Sequence, residues 1–171
     1  MTELNIENRH VISILVDNEF GALARIVSLF SARGYNIETL SVAVINRKKN
    51  LSKVTITTYG SQDVIDLIIK LLYKLVAVYE VLDLTTAGPF LEKECALIKV
   101  SINNQTKDEV LRIASTQNAK LINHTKDHVV FEITDRFSRV RSFIALLEPY
   151  GILDTSRTGY AALALGEGEE N

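Results

Sequence analysis

Residues 15–40 read LVDNEFGALARIVSLFSARGYNIETL. An apolar, strand-like run ends in the polar loop Asp17-Asn18-Glu19-Phe20-Gly21. From Gly21 to Arg33 the apolar residues Leu23, Ile26, Val27 and Phe30 recur at i, i+3, i+4 and i+7, one stripe of an amphipathic helix. Gly34 supplies a helix stop, and Asn36 to Ile45 is β-rich. The stretch therefore predicts strand, helix, strand, with a polar turn at the helix entrance.

Working outward, Val11 to Val16 is the strand before the turn. Leu51 to Tyr59 is a further strand, joined to its predecessor by the polar hairpin loop Asn46-Arg47-Lys48-Lys49-Asn50. Ser61 can cap the next helix, with Asp63 in its first turn. That helix runs to about Leu75, and its apolar residues cover well over half its circumference, which predicts a second burial surface besides the sheet. Val76 to Leu84 is again a strand. Residues 9–84 thus read βαββαβ.

Thr85-Thr86-Ala87-Gly88-Pro89 breaks the pattern, and residues 85–92 are expected to be a linker. The order then repeats over residues 93–166. Cys95 to Ile102 is a strand, and Thr106 with Glu109 predicts a capping box for a helix to about Ser115. Ala119 to Thr125 and His128 to Thr134 flank a two-residue hairpin joint. A helix follows, capped by Asp135 and stopped by Pro149 and Gly151, and Ile152 to Leu165 holds a last strand. Residues 167–171 are expected to form a disordered acidic tail. The predicted fold class is α+β: two tandem ferredoxin-like βαββαβ modules, each an antiparallel sheet with both helices on one face. Modules this small have thin cores, and dimerisation would cover surplus apolar surface and edge strands.

Composition narrows the possible functions. With 171 residues, 47% of them hydrophobic and 23% charged, the chain can bury a core in one domain or two small ones. A formal net charge of -2 offers no electrostatic footprint for nucleic acid. The lone Cys95 excludes an intramolecular disulfide and a cysteine-built zinc site; it reads as a buried thiol in a reducing compartment. Met1 to Arg9 resembles neither a secretory signal nor an Arg-rich transit segment. The apolar region Val64 to Leu82 is broken by Asp66, Lys70, Lys74 and Glu80, so it reads as helix plus strand rather than a membrane span. The expected location is the cytoplasm.

No catalytic constellation emerges. His124 and His128 have helical metal-site spacing, but the hairpin places them on opposing strands. Phosphate-loop, dinucleotide and nucleophile-elbow motifs are missing. Asp83, Asp154 and the scattered glutamates fall at strand ends and helix faces, where solvated surface is the default reading. No nucleophile is paired with a base. The chain is expected to be no enzyme and to carry no cofactor and no metal site.

What remains is the opening turn. A strand-to-helix turn ending in Gly21 leaves backbone N–H groups of the first helical turn, around Ala22 and Leu23, without partners, and with the helix dipole they attract a carboxylate. Gly21 permits close approach, and Asn18 offers an amide that both donates and accepts. Asn36 could accept from an ammonium group. Carboxylate donors and ammonium acceptors together describe an α-amino acid site; the plainer alternative is that these are ordinary turn and strand residues.

Asp17-Asn18-Glu19-Phe20-Gly21-Ala22-Leu23, followed by Phe30-Ser31-Ala32-Arg33-Gly34-Tyr35-Asn36-Ile37-Glu38-Thr39-Leu40, resembles the ACT domain of acetolactate synthase (acetohydroxyacid synthase) small subunits. The resemblance extends through Leu51 to Ile56, Lys74-Leu75-Val76, Glu94 to Val100, Phe143-Ile144, Glu148 to Ile152 and Arg157-Thr158-Gly159. Departures include Lys53 for the usual Arg, which loses a bidentate donor, Tyr73 and Ala77 where His and Asp are common, Lys93 for Arg, Leu165 for Arg, and one extra residue in the 46–50 loop. None of them touches Asn18, Gly21 or Asn36.

The resemblance implies a non-catalytic regulatory subunit. Its partner would be the large catalytic subunit, which binds thiamine diphosphate, Mg²⁺ and FAD and joins two pyruvates, or pyruvate and 2-oxobutyrate. It also implies a homodimer with effector sites between paired ACT domains, at Asn18, Gly21, Ala22, Leu23, Asn36 and Ile37. The effector would be valine, or else leucine or isoleucine. Rival expectations are a stand-alone amino-acid-sensing ACT protein with another partner, a small plait-fold enzyme, and a nucleic-acid-binding plait.

Overall fold

The computed structural model describes residues 8–166; the expected acidic tail, residues 167–171, lies outside them. The described residues divide into two compact units, 8–91 with 160–166, and 92–159.

In the first unit, strand β1 spans Arg9–Asp17, helix α1 Ala22–Ser31, β2 Thr39–Asn46, β3 Leu51–Tyr59, α2 Gln62–Leu72 and β4 Val78–Asp83. The sheet order is β2-β3-β1-β4, antiparallel throughout. Alternation along β1 sends Ile12, Ile14 and Val16 to one face, where they meet Val54 and Ile56 of β3, Ile26, Leu29 and Phe30 of α1, and Ile65, Ile68 and Leu72 of α2. Both helices therefore cover the same face. Neither has a side-chain cap. Helices this short are marginal alone, so burial holds them, at about 1.5–3 kcal/mol per large apolar side chain.

The opposite face of β1 is also partly covered. The predicted linker is not a simple linker: Leu84–Ala87 forms a short helix, α3. Val11, Leu84 and Ala162 make a second small core with Leu82 and Phe90 against it. Asp83, read from sequence as solvated, is buried. Its Oδ1 accepts from the Thr85 N–H at 3.0 Å and its Oδ2 lies 2.8 Å from His10 Nδ1, while Thr85 Oγ1 accepts from the Val11 N–H at 2.9 Å. These bonds pin α3 to β1.

The apolar surplus of α2 is largely absorbed within its own unit. Val64, Ile69, Leu71 and Leu75 pack against the first core, and Leu67 stays exposed. Exposed apolar side chains also line the edge strand β2, where Val42, Val44 and Ile45 are exposed at 44%, 46% and 54%.

In the second unit, β5 (Phe90–Ser101, which begins in the first unit), α4 (Lys107–Thr116), β6 (Lys120–His124), β7 (His128–Asp135), α5 (Phe137–Leu147) and β8 (Ile152–Arg157) repeat the plan, with strand order β6-β7-β5-β8. Its core joins Ile98 and Val100 to Val110, Phe131, Val140, Phe143 and Leu147. The Phe131 and Phe143 rings meet edge to face at 6.0 Å.

Three further expectations are corrected. The last predicted strand is two strands: β8 ends at Arg157, and after Gly159 at φ +73° a separate β9, Ala161–Ala164, joins the first unit. The capping box of α4 does not form. Asn103 takes the capping role, its Oδ1 accepting from the Gln105 and Thr106 N–H groups, and Glu109 pairs instead with Arg112. Cys95 is half-buried rather than buried. Among the described residues no helix is long and apolar enough to cross a membrane.

Candidate functional site

The turn between β1 and α1 sits where the sheet order brings three connections to one end of the first unit. Gly21 occupies the N-cap position in the left-handed region, at φ +82°. A side chain there would be strained, which explains glycine. The first i→i−4 bond of α1 runs from the Arg25 N–H to the Gly21 carbonyl at 2.9 Å, and the Ala22 N–H is taken by the Glu19 carbonyl at 3.3 Å. The Leu23 and Ala24 N–H groups precede the helical ladder and point along the axis, where the dipole favours an anion. Glu19 and Arg25 form an ion pair across the turn. Arg25, absent from the sequence-derived set, therefore places a guanidinium beside Gly21, paired with the Glu19 carboxylate. A groove of about 560 Å³ between α1 and α2 is lined by Gly21, Arg25, Arg33 and Lys74 among others; of the six expected residues it includes Gly21 alone.

Asn18 is held by the β2–β3 hairpin loop. Its N–H donates to the Asn50 carbonyl at 2.7 Å, and its carbonyl accepts from Asn50 Nδ2 at 3.1 Å. Its own Nδ2 reaches Asn50 Oδ1 at 3.4 Å. Asn50 adopts φ +53°, a conformation asparagine tolerates better than most residues. Asp17 is held from the other side. Its N–H donates to the Ala77 carbonyl at 2.9 Å, and its carboxylate accepts from the Tyr79 hydroxyl at 2.9 Å. That hydrogen bond and the adjacent negative charge raise the phenol above its ordinary range. Phe20 is fully exposed, Leu23 partly exposed and Ala22 buried.

Asn36 and Ile37 lie elsewhere. Helix α1 ends in a glycine motif, with the Tyr35 N–H bonded to the Phe30 carbonyl at 3.0 Å, the Gly34 N–H to the Ser31 carbonyl at 3.1 Å, and Gly34 at φ +70°. The chain then turns into β2. The Asn36 carbonyl accepts from Thr58 Oγ1 at 2.6 Å, and its Nδ2 donates to Glu38 Oε1 at 2.7 Å. With the side-chain Nδ2 donating to Glu38, the side-chain Oδ1 of Asn36 retains its acceptor capacity. Glu38 adds a carboxylate that sequence reasoning missed. Ile37 packs partly against the first core. The structure thus groups Asn18, Gly21, Ala22 and Leu23 at the start of α1, and Asn36 with Ile37 beyond its end. The rest of α1, from Ala24 to Ser31 and about 12 Å of rise, separates the two groups.

Comparison with known proteins covers both units. Residues 12–80 match the family model described as AHAS small subunit-like ACT domain, and residues 93–166 match that of the small subunit of acetolactate synthase. The chain is 39% identical over 156 residues to the acetolactate synthase small subunit of Aquifex aeolicus, covering 91% of this chain and 80% of that one. It is 34% identical to the isozyme 3 small subunit of Escherichia coli, covering 93% and 97%. Among solved structures, the acetolactate synthase small subunit of Thermotoga maritima superposes with a TM-score of 0.78 at 32% identity, covering 91% of this chain and 96% of that one.

Proposed function

Because the chain belongs to the acetolactate synthase small-subunit family, we propose that it is the regulatory partner of a catalytic large subunit in the cytoplasm, raises that subunit's activity and makes it sensitive to valine. Thiamine diphosphate, Mg²⁺ and FAD would belong to the catalytic subunit, and this chain would make and break no bonds.

The observation that supports this most is the division of the candidate residues by α1. One protomer offers carboxylate donors at one end of the helix and ammonium acceptors at the other, so a ligand small enough to need both must draw them from two chains. The edge strand β2 supplies the means. It carries exposed Val42, Val44 and Ile45, with no proline or charge along Thr39–Asn46, an edge of the kind that pairs with another strand. Antiparallel pairing of two β2 strands about a two-fold axis would set the 18–23 turn of one protomer opposite Asn36 of its twin.

In that arrangement the valine carboxylate takes the Leu23 and Ala24 N–H groups, with Arg25 beside them. The ammonium group takes Asn36 Oδ1 and the Glu38 carboxylate. Valine has few atoms, so its affinity lies in the micromolar to millimolar range. Inhibition requires valine to favour one quaternary state over another, with a coupling of about 1–3 kcal/mol. The catalytic subunit meets the hairpin loop 46–50, whose tip carries Arg47, Lys48 and Lys49 in succession; charge reversal there should abolish activation. Substituting Asn36→Ala should raise the valine concentration needed for inhibition at least tenfold while leaving activation in place. Unchanged valine sensitivity would sink the assignment.

A further inference from the structure

We infer that Asn50 is the positioning residue through which occupancy of the amino-acid turn is transmitted to the β2–β3 hairpin loop. This rests on the reading above and names how that site regulates.

Two segments far apart in sequence are joined here by a reciprocal clasp. The Asn18 N–H and carbonyl are both engaged by Asn50, at 2.7 Å and 3.1 Å. The side-chain contact from Asn18 Nδ2 to Asn50 Oδ1 is the longest of the three, at 3.4 Å, and therefore the weakest. The Asn18 carboxamide thus has two alternative uses. It can hold Asn50 Oδ1, as here, or turn to a zwitterion bound over the helix entrance.

Asn50 itself is poised. At φ +53° it closes the hairpin loop, and its N–H reaches the Arg47 carbonyl only at 3.4 Å. The preceding residues are tied locally, with the Lys49 N–H on Asn46 Oδ1 at 3.0 Å. Loss of the Asn18 Nδ2 contact leaves the Asn50 side chain on the Asn18 carbonyl alone, so the end of the loop that carries Arg47, Lys48 and Lys49 is clasped by two bonds in place of three, while Leu51 stays paired with Asp17. The device has two arrangements and one ligand-sensitive contact, which is what a coupling between two sites physically requires. Sequence reading treats Asn50 as a loop residue only; its partner is 32 positions away.

The test uses Asn50→Gly in the full chain. Glycine accepts the positive φ, so the fold and the loop closure survive while the side-chain clasp is lost. Two quantities are read: valine affinity of the chain alone by calorimetry, and the activity of the reconstituted holoenzyme at saturating valine as a fraction of the same variant's valine-free rate. The expected result is a dissociation constant within about threefold of wild type, with the extent of inhibition reduced by half or more. Equal inhibition of wild type and variant overturns the relay. A loss of valine affinity beyond tenfold also overturns it, since Asn50 would then be part of the receptor. Failure of the wild-type chain to bind valine overturns the parent reading and the relay with it, and is told apart by appearing before any substitution is made.

Discussion

Asn18 lies just before α1 and Asn36 just after it, so the two carboxamides stand at opposite ends of a ten-residue helix. No side-chain movement within one protomer spans the roughly 15 Å of helical rise between them. In the proposed pairing an antiparallel twin would reverse the order of the two ends and set two identical sites across the pair.

The first prediction concerns that pairing. Val42 and Val44 are half-exposed on the edge strand β2. Replacing both by lysine places like charges close together across a two-fold axis, at a cost of several kcal/mol. Sedimentation velocity at micromolar concentration should show a dimer for the wild-type chain and a monomer for Val42→Lys/Val44→Lys. A variant that remained dimeric would move the interface off this edge.

The second concerns the His10–Asp83 contact, 2.8 Å long and buried on both sides. Asp83→Ala strands the His10 ring nitrogen and the Thr85 N–H away from water. Leaving a buried donor unsatisfied costs about 1–3 kcal/mol, so urea unfolding should reveal a loss of that size. A loss below half a kcal/mol would mean that water reaches the pair.

The third is a pH effect in the second unit. Lys93 Nζ donates to Asp135 Oδ1 at 3.0 Å and the Arg136 N–H to the same oxygen at 2.8 Å. These bonds, Lys93 first, hold the Asp135 carboxyl below the ordinary aspartate range. A carboxyl depressed in the folded state contributes stability that is full above its unfolded value, about 3.9, and is lost as pH falls through its folded value. Lys93→Met should shift the Asp135 carbon resonance midpoint upward in an NMR titration and make acid unfolding begin at a higher pH. No movement of the midpoint would show that the ion pair is not populated in solution, as many exposed pairs are not.

Much of the fold was legible because its signals are local and periodic. The helix stripe at Leu23, Ile26, Val27 and Phe30, the Gly34 stop, and the alternation through β1 and β3 are each set by which residues face a core. What escaped depends on which of several partners a polar side chain takes, near or distant in sequence. Asp83 looks like a solvated strand-end acid until His10 and Thr85 are placed beside it. Thr106 and Glu109 spell a capping box, but Thr106 Oγ1 accepts from the Asn103 N–H and Glu109 pairs with Arg112. Asn118, at φ +55°, ends α4 as glycine ends α1, with the Ala119 N–H on the Ala114 carbonyl, a role asparagine signals only weakly.

The candidate site was half legible. The turn at Asn18 to Leu23 is a local feature of chain geometry, and the structure keeps it intact. Its separation from Asn36 is a property of helix length and chain direction that residue chemistry does not announce. Arg25 and Glu38 became candidates because they stand beside the turn and beside Asn36 in space. Asn50 was invisible because a hairpin loop gives no sign of which neighbour it will hold.

The most direct test of a receptor shared between two chains is complementation within a mixed dimer. Asn18→Ala and Asn36→Ala chains, each carrying a different affinity tag, are co-expressed, and the heterodimer is purified and titrated with valine by calorimetry. If each site takes Asn18 from one protomer and Asn36 from the other, the heterodimer has one site with both defects and one intact. It should bind one valine per dimer with wild-type affinity, while both parent homodimers bind at least tenfold more weakly. A heterodimer as weak as its parents, with no site of wild-type affinity, would contradict the shared site.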